Sequence, residues 1–155
     1  MNFRSKIKAL YQRIISGMSA NNNPLFIFFY KYFYRPPEGT IEEFTDIFSR
    51  YRRKIKVVQV GANDGITNDP IHKFIKRDGW EGVLLEPQKY VFEKFLQPLY
   101  RKTQGIITVN AALDRTDGYK PVYKISASNS RWATGLTSFN REVLEKALSS
   151  GYIEK

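Results

Sequence analysis

The sequence predicts an α/β protein built on a parallel sheet with helical crossovers. Two observations carry that expectation. Short β-branched or apolar runs at Ile55 to Val60, Gly82 to Glu86 and Ile106 to Val109 alternate with stretches of helical spacing, the order expected of strand, crossover helix, strand. The first run also leads straight into Gly61-Ala62-Asn63-Asp64-Gly65, as a buried strand feeding a tight loop does.

Each element follows from local chemistry. Phe3, Ile7, Leu10, Ile14 and Met18 recur at helical spacing among Arg4, Lys6, Lys8 and Arg13, which predicts a basic amphipathic helix over 3 to 18. Asn21-Asn22-Asn23-Pro24 stops it. Leu25 to Tyr34 has no decisive period, and Pro36-Pro37-Glu38-Gly39 breaks the chain before a helix at Thr40 to Tyr51, with Glu43 placed for a capping box. Past a domain boundary near Lys54, Asn68 or Asp69 caps the first crossover helix, Pro70 fits its start, and Ile71, Phe74 and Ile75 face inward until Gly79 ends it. The second crossover covers about Tyr90 to Arg101 and buries Val91, Phe92, Phe95, Leu96 and Leu99, with a bend expected at Pro98. Tyr119 to Ile125 reads as half of an antiparallel hairpin or flap, Ser126 to Phe139 as a long polar loop or acceptor-side flap, and Arg141 to Leu148 as a helix. The chain thus divides into a basic helical extension, 1 to 53, and an α/β unit, 54 to 155.

A length of 155 residues with 42% hydrophobic content suits one domain with a real core. Leu25 to Tyr34, the most apolar stretch, is too short to cross a bilayer and contains Lys31. The start lacks the apolar core and cleavage site of a secretory signal. Zero cysteines exclude disulfides, thiol catalysis and thiolate metal sites, and fit a reducing cytoplasm. No metal site is expected. Of the net charge of +10, the segment before Val57 carries +7, from 11 Lys/Arg against 4 Asp/Glu. Such a leader offers peripheral contact to an anionic membrane through its basic helix. A solvated helix with one greasy face packed on the domain is preferred, because the charges form no dense patch. For the same reason no nucleic-acid partner is expected.

Ligands of open α/β sheets bind beyond the carboxyl ends of the strands, and three polar clusters fall there. Gly61 to Gly65 permits close backbone approach, since glycine lacks Cβ and tolerates positive φ. Glu86 ends the second strand, placed to take both hydroxyls of a ribose, with Pro87 and Gln88 shaping an adenine edge. Asn110 and Ala111, with Ala112, follow the third strand and offer a polar contact and small side chains against a base. A dinucleotide would want Gly-x-Gly-x-x-Gly, whereas here Asn63 replaces the middle glycine and Asp64 stands beside it. A carboxylate there repels phosphate but suits an ammonium and a sulfonium. His72, the one histidine, is expected to be structural; Asp114 to Gly118 reads as a solvated turn, and Trp80 as packing beneath a helix.

Val57 to Gly65, Gly79-Trp80-Glu81-Gly82-Val83-Leu84-Leu85-Glu86-Pro87 and Val109-Asn110-Ala111-Ala112-Leu113 together resemble the opening motifs of the FkbM family, over about Val57 to Phe139. The resemblance implies a Rossmann-like class I methyltransferase fold that uses S-adenosylmethionine to methylate a hydroxyl of a small molecule or glycan. It implies that Gly61, Ala62, Asn63 and Gly65 line the methionine end, Glu86 the ribose, and Asn110 and Ala111 the adenine side; Asp64 and Pro87 complete the expected cofactor-binding set. Many relatives carry aspartate at Gln59, a charge that Asp64 is expected to replace. The family pattern continues with an Asp-rich strand of the type Ile-Asp-x-x-Lys-Ile-Asp-x-Glu-Gly, which this sequence does not reach. The expectation is therefore a partial domain of three parallel strands, with Val57 on an edge strand. Its catalytic residues are unassigned, and it has little activity unless a partner chain supplies further strands. Two other classes compete: a non-catalytic nucleotide-binding module and a dinucleotide-dependent reductase.

Overall fold

The structure, a computed structural model, describes residues 3–52, 54–124 and 137–150. Three helices lead: α1 (Phe3–Ala20), α2 (Pro24–Tyr32) and α3 (Ile41–Tyr51). Local chemistry sets their ends. Asn23 accepts a hydrogen bond from the Leu25 amide at 2.9 Å, and Thr40 Oγ1 accepts from the Glu43 amide at 3.2 Å. The Glu43 carboxylate reaches back to the Gly39 amide, one residue before the cap, so the capping box closes in extended form.

The sheet follows. β1 (Lys56–Val60), β2 (Glu81–Leu85) and β3 (Ile106–Val109) pair in parallel in the order β1-β2-β3. The register sets Val57 opposite Gly82 and Val60 opposite Leu85 on one side, and Leu85 opposite Val109 on the other. α4 (His72–Asp78) makes the first crossover, stopped by Gly79 in the left-handed conformation at φ 65°. The second is a rod of α5 (Lys89–Val91), a π-helical segment (Phe92–Leu96) and α6 (Gln97–Tyr100). Pro98 has no amide hydrogen and its ring crowds the preceding turn, and the widened π turn directly before it relieves that crowding without a break. A two-stranded antiparallel hairpin, β4 (Tyr123–Lys124) with β5 (Thr137–Ser138), and α7 (Arg141–Ser149) complete the described chain. Residues 125–136, which hold most of the expected polar loop, lie outside it.

One face of the sheet is packed. Phe74, Ile75, Trp80, Leu84, Phe92, Leu96, Leu99 and Tyr100 form the core between sheet and crossover helices. The opposite face shows Val58, Val60 and Ile107 more than half exposed. β1 is therefore an edge strand, as expected, but not the buried strand its apolar run suggested. Composition reports how apolar a strand is and cannot report whether a second layer covers it.

The helical extension packs on the crossover helices through polar groups. Ser19 Oγ lies 3.2 Å from His72 Nε2, and the Lys76 ammonium reaches Asn22 Oδ1 at 3.0 Å and the Leu99 carbonyl at 2.8 Å. Burial lowers the pKa of Lys76 to about 8. The Arg77 guanidinium binds both Asp46 of α3 and Asp78, and the Trp80 indole donates to Ser49 of α3 at 2.9 Å. The expectation that α1 lays its greasy stripe on the domain is overturned at Ile7, Leu10 and Ile14, which are exposed, while Ser19 and Ala20 at its carboxyl-terminal end are packed. Helical periodicity finds a stripe but not the surface it faces. Among the described residues, no helix is long and apolar enough to cross a membrane.

Candidate functional site at the strand ends

β1 and β2 end side by side, and the chain turns at both tips. Gly61 adopts φ 72° with open space where a Cβ would stand, so the backbone there is approachable. Asn63 follows at φ 49°, a left-handed conformation that asparagine tolerates better than most residues. Its amide donates to Glu86 Oε2 at 2.8 Å, while the Gln88 amide donates to Glu86 Oε1 at 2.9 Å. The carboxylate is 3% exposed and clamps the tip of β2 to the bend after β1. The sequence suggested no such structural duty for Glu86. Each carboxylate oxygen can accept a second hydrogen bond, so the clamp leaves acceptor capacity.

Asn110 fastens the third strand to the same point. Its side-chain nitrogen donates to the carbonyls of Glu86 at 2.8 Å and Pro87 at 3.1 Å. Beside it lies an open cleft of about 660 Å³, lined by Pro87, Asn110, Ala111 and Ala112 and bordered by Asp114, Thr116, Asp117, Tyr119, Lys120, Val122 and Phe139. Gly61 to Gly65 do not line this cavity, so Glu86 stands between the glycine bend and the hollow. Asp114 and Lys120 form an ion pair across its far wall. The expected solvated turn at Asp114 to Gly118 is exposed and also borders the cavity, a placement that turn composition cannot foresee.

Three of the expected ligand residues also carry structural contacts of their own. Asp64 is buried and accepts from the amides of Ile66 at 2.9 Å and Thr67 at 2.7 Å and from the Thr67 hydroxyl at 2.7 Å, so it organises the loop from within. Gly65 is buried, and both its φ of 72° and the 2.8 to 3.0 Å approach of Leu99, Leu96 and Tyr100 to a would-be Cβ call for glycine there. Ala62 likewise belongs to the core, its amide extending the β1–β2 ladder to the Leu85 carbonyl at 2.9 Å. The groups that remain approachable are Gly61, Asn63, Pro87, Gln88, Asn110 and Ala111.

Beneath the loop, Gln59 Nε2 donates to Asp69 Oδ2 at 3.0 Å, and Asp69 Oδ1 accepts from the Ile71 and His72 amides at 2.8 and 2.9 Å. Asp69 thus satisfies the amides that lead into α4, two residues ahead of the N-cap position at Ile71, and burial raises its pKa against those hydrogen bonds. His72 is 2% exposed; burial, reinforced by Lys73 and Lys76, lowers its pKa to about 3, so it is neutral and structural. Trp80 stacks on Phe74 with centroids 6.5 Å apart, beneath α4. No cluster of His, Cys, Asp or Glu among the described residues could hold a metal ion. Comparison with family models, with curated proteins and with solved structures returns no match.

Proposed function

We propose that the strand tips bind S-adenosylmethionine, and that the chain is a Rossmann-like methyltransferase of the FkbM type acting on a hydroxyl of a small molecule or glycan. The observation that carries the reading is the convergence of Glu86 with the Gly61–Asn63 bend at the carboxyl ends of parallel strands, beside the Asn110 cavity. In this reading the strand tip opens enough for Glu86, buried in the ligand-free structure, to offer the ribose hydroxyls the lone pairs its backbone clamp leaves unused, the cavity past Pro87 takes the adenine against Asn110 and Ala111, and the open backbone at Gly61 and Asn63 receives the amino-acid end. A hollow of this size lies within the range typical of small-molecule sites. Bound S-adenosylmethionine supplies an electrophilic methyl group on sulfur. The chain's contribution is alignment, which accounts for much of the acceleration in such displacements.

A second observation favours this ligand over a dinucleotide. Pyrophosphate needs free amides at a helix start. Here the amides of Ile66 and Thr67 are held by Asp64, and those of Ile71 and His72 by Asp69. Two carboxylates occupy the positions a phosphate would want. The test is thermal denaturation with each ligand, since binding to the folded form alone raises the melting temperature. S-adenosylhomocysteine is expected to stabilise the chain and NADH to leave it unchanged; the reverse pattern would replace the reading with a reductase.

A further inference from the structure

α3 is built inside out. Its polar face, Glu42, Thr45, Asp46 and Ser49, turns toward α4, where Glu42 pairs with Lys73 at 2.8 Å, Asp46 with Arg77, and Ser49 with Asp78 and Trp80. Its apolar face, Ile41, Phe44, Ile47, Phe48 and Tyr51, points into solvent, with Phe44 65% and Tyr51 81% exposed. Burying charge while exposing hydrocarbon is unfavourable on both counts in water. A second apolar phase over the outer face reverses the second cost.

α2 repeats the arrangement beside it. Phe26, Tyr30 and Tyr34 form an inward stack, with Phe26 5.9 Å from the His72 ring of α4. Leu25, Phe28, Phe29, Tyr32 and Phe33 are left outside, each at least half exposed. Both helices lie on α4, and Arg50 of α3 donates to the Lys31 carbonyl of α2 at 3.4 Å. The outer faces of both helices are exposed.

Charge names the occupant. Of the anions of α3, Glu42 and Asp46 are spent inward on Lys73 and Arg77 and Glu43 caps the Gly39 amide, whereas Lys31, Arg35, Arg52, Lys54 and Lys56 are exposed without an ion pair to any described acidic residue. Exposed aromatic side chains with cations beside them, Lys31 over the Tyr32 ring and Arg52 over the Tyr51 ring, match the boundary of an anionic bilayer, where the rings enter the acyl edge and the cations meet lipid phosphates. We infer that the outer face of α2 and α3, rather than the basic stripe of α1, docks the protein on an anionic membrane surface. This inference stands apart from the ligand assigned to the strand tips.

Sedimentation with phosphatidylcholine vesicles, alone or containing about a third phosphatidylglycerol, tests it. The full chain is expected to bind the anionic vesicles, to bind neutral ones far more weakly, and to be released by added salt. Phe28→Glu with Phe44→Glu, both at exposed positions, is expected to reduce binding at least tenfold while the circular dichroism spectrum and melting temperature stay at wild-type values. Lys31→Glu with Arg52→Glu is expected to cost at least fivefold per cation at low salt. Loss of binding only in Ile7→Glu with Leu10→Glu would transfer the docking face to α1 and overturn the assignment. So would absence of vesicle binding, or a dimer in light scattering that the α2–α3 variants dissolve.

Discussion

Replacing Glu86 by glutamine separates its two duties. The variant keeps shape and volume but puts an amide nitrogen where a carboxylate oxygen accepts from the Asn63 or Gln88 backbone amide. At 3% exposure the displaced amide finds no water. Losing one charge-assisted hydrogen bond and stranding its donor costs about 2 kcal/mol. At about 2 to 4 °C per kcal/mol for a chain of this size, the ligand-free melting temperature falls by roughly 4 to 8 °C. The ligand arm is independent. Losing a two-pronged ribose contact weakens binding by about 100-fold, equivalent to about 2.8 kcal/mol. With S-adenosylhomocysteine at 100 times the wild-type Kd, stabilisation drops from about 2.7 kcal/mol to about 0.4 kcal/mol. Differential scanning fluorimetry reads both arms. An unchanged ligand-free melting temperature would refute the clamp, and a full ligand-induced shift in a folded variant would refute the ribose role.

Two further outcomes follow from the same structure. Gly82→Ala is expected to cost more than about 4 kcal/mol and to leave little folded chain by circular dichroism; a Cβ there would stand 1.9 Å from the Val57 carbonyl oxygen, against backbone that cannot yield without breaking the β1–β2 ladder. A well-folded variant would show that the register is wrong. His72→Gln is expected to flatten the acid limb of stability. With the folded pKa at about 3 and the unfolded value at 6.5, the unfolded chain binds the proton first, so the wild type loses stability as pH falls from 6.5 toward 3. One unit below 6.5 the loss is about 1.4 kcal/mol. Urea denaturation at pH 7 and 5.5 compares the two proteins, and parallel losses in both would refute a buried neutral histidine.

Local rules located the elements because their causes are local. The Asn-rich turn before Pro24, the Thr40 cap, Gly79 at positive φ and the Asp69 side chain each act within four residues. Leu25 to Tyr34 defeated periodicity because both sides of α2 are aromatic, one packed and one exposed. The π turn before Pro98 was anticipated only as a bend, since how a helix absorbs a proline depends on what its next turns pack against.

The candidate site was legible as a set of strand tips and not as a set of contacts. Glu86, the glycine bend and Asn110 do meet, because parallel pairing brings successive tips together whatever the side chains are. Asp64 and Gly65 carried the right residue types for ligand approach, and only three-dimensional packing shows that Asp64 also accepts from the amides of Ile66 and Thr67 and that Gly65 also lies against α6.

By itself the sequence determined where the three parallel strands, their crossover helices and most turns lie, which residues end each of those strands, and where the positive charge is concentrated. All three depend on neighbours along the chain. Tertiary structure alone decided that one face of the sheet is packed and the other open, that α3 turns its charges inward and its aromatic face out, and which carboxylates are occupied by backbone amides. Those outcomes depend on which surfaces meet, and a one-dimensional pattern states that a surface is apolar or charged without stating what lies against it.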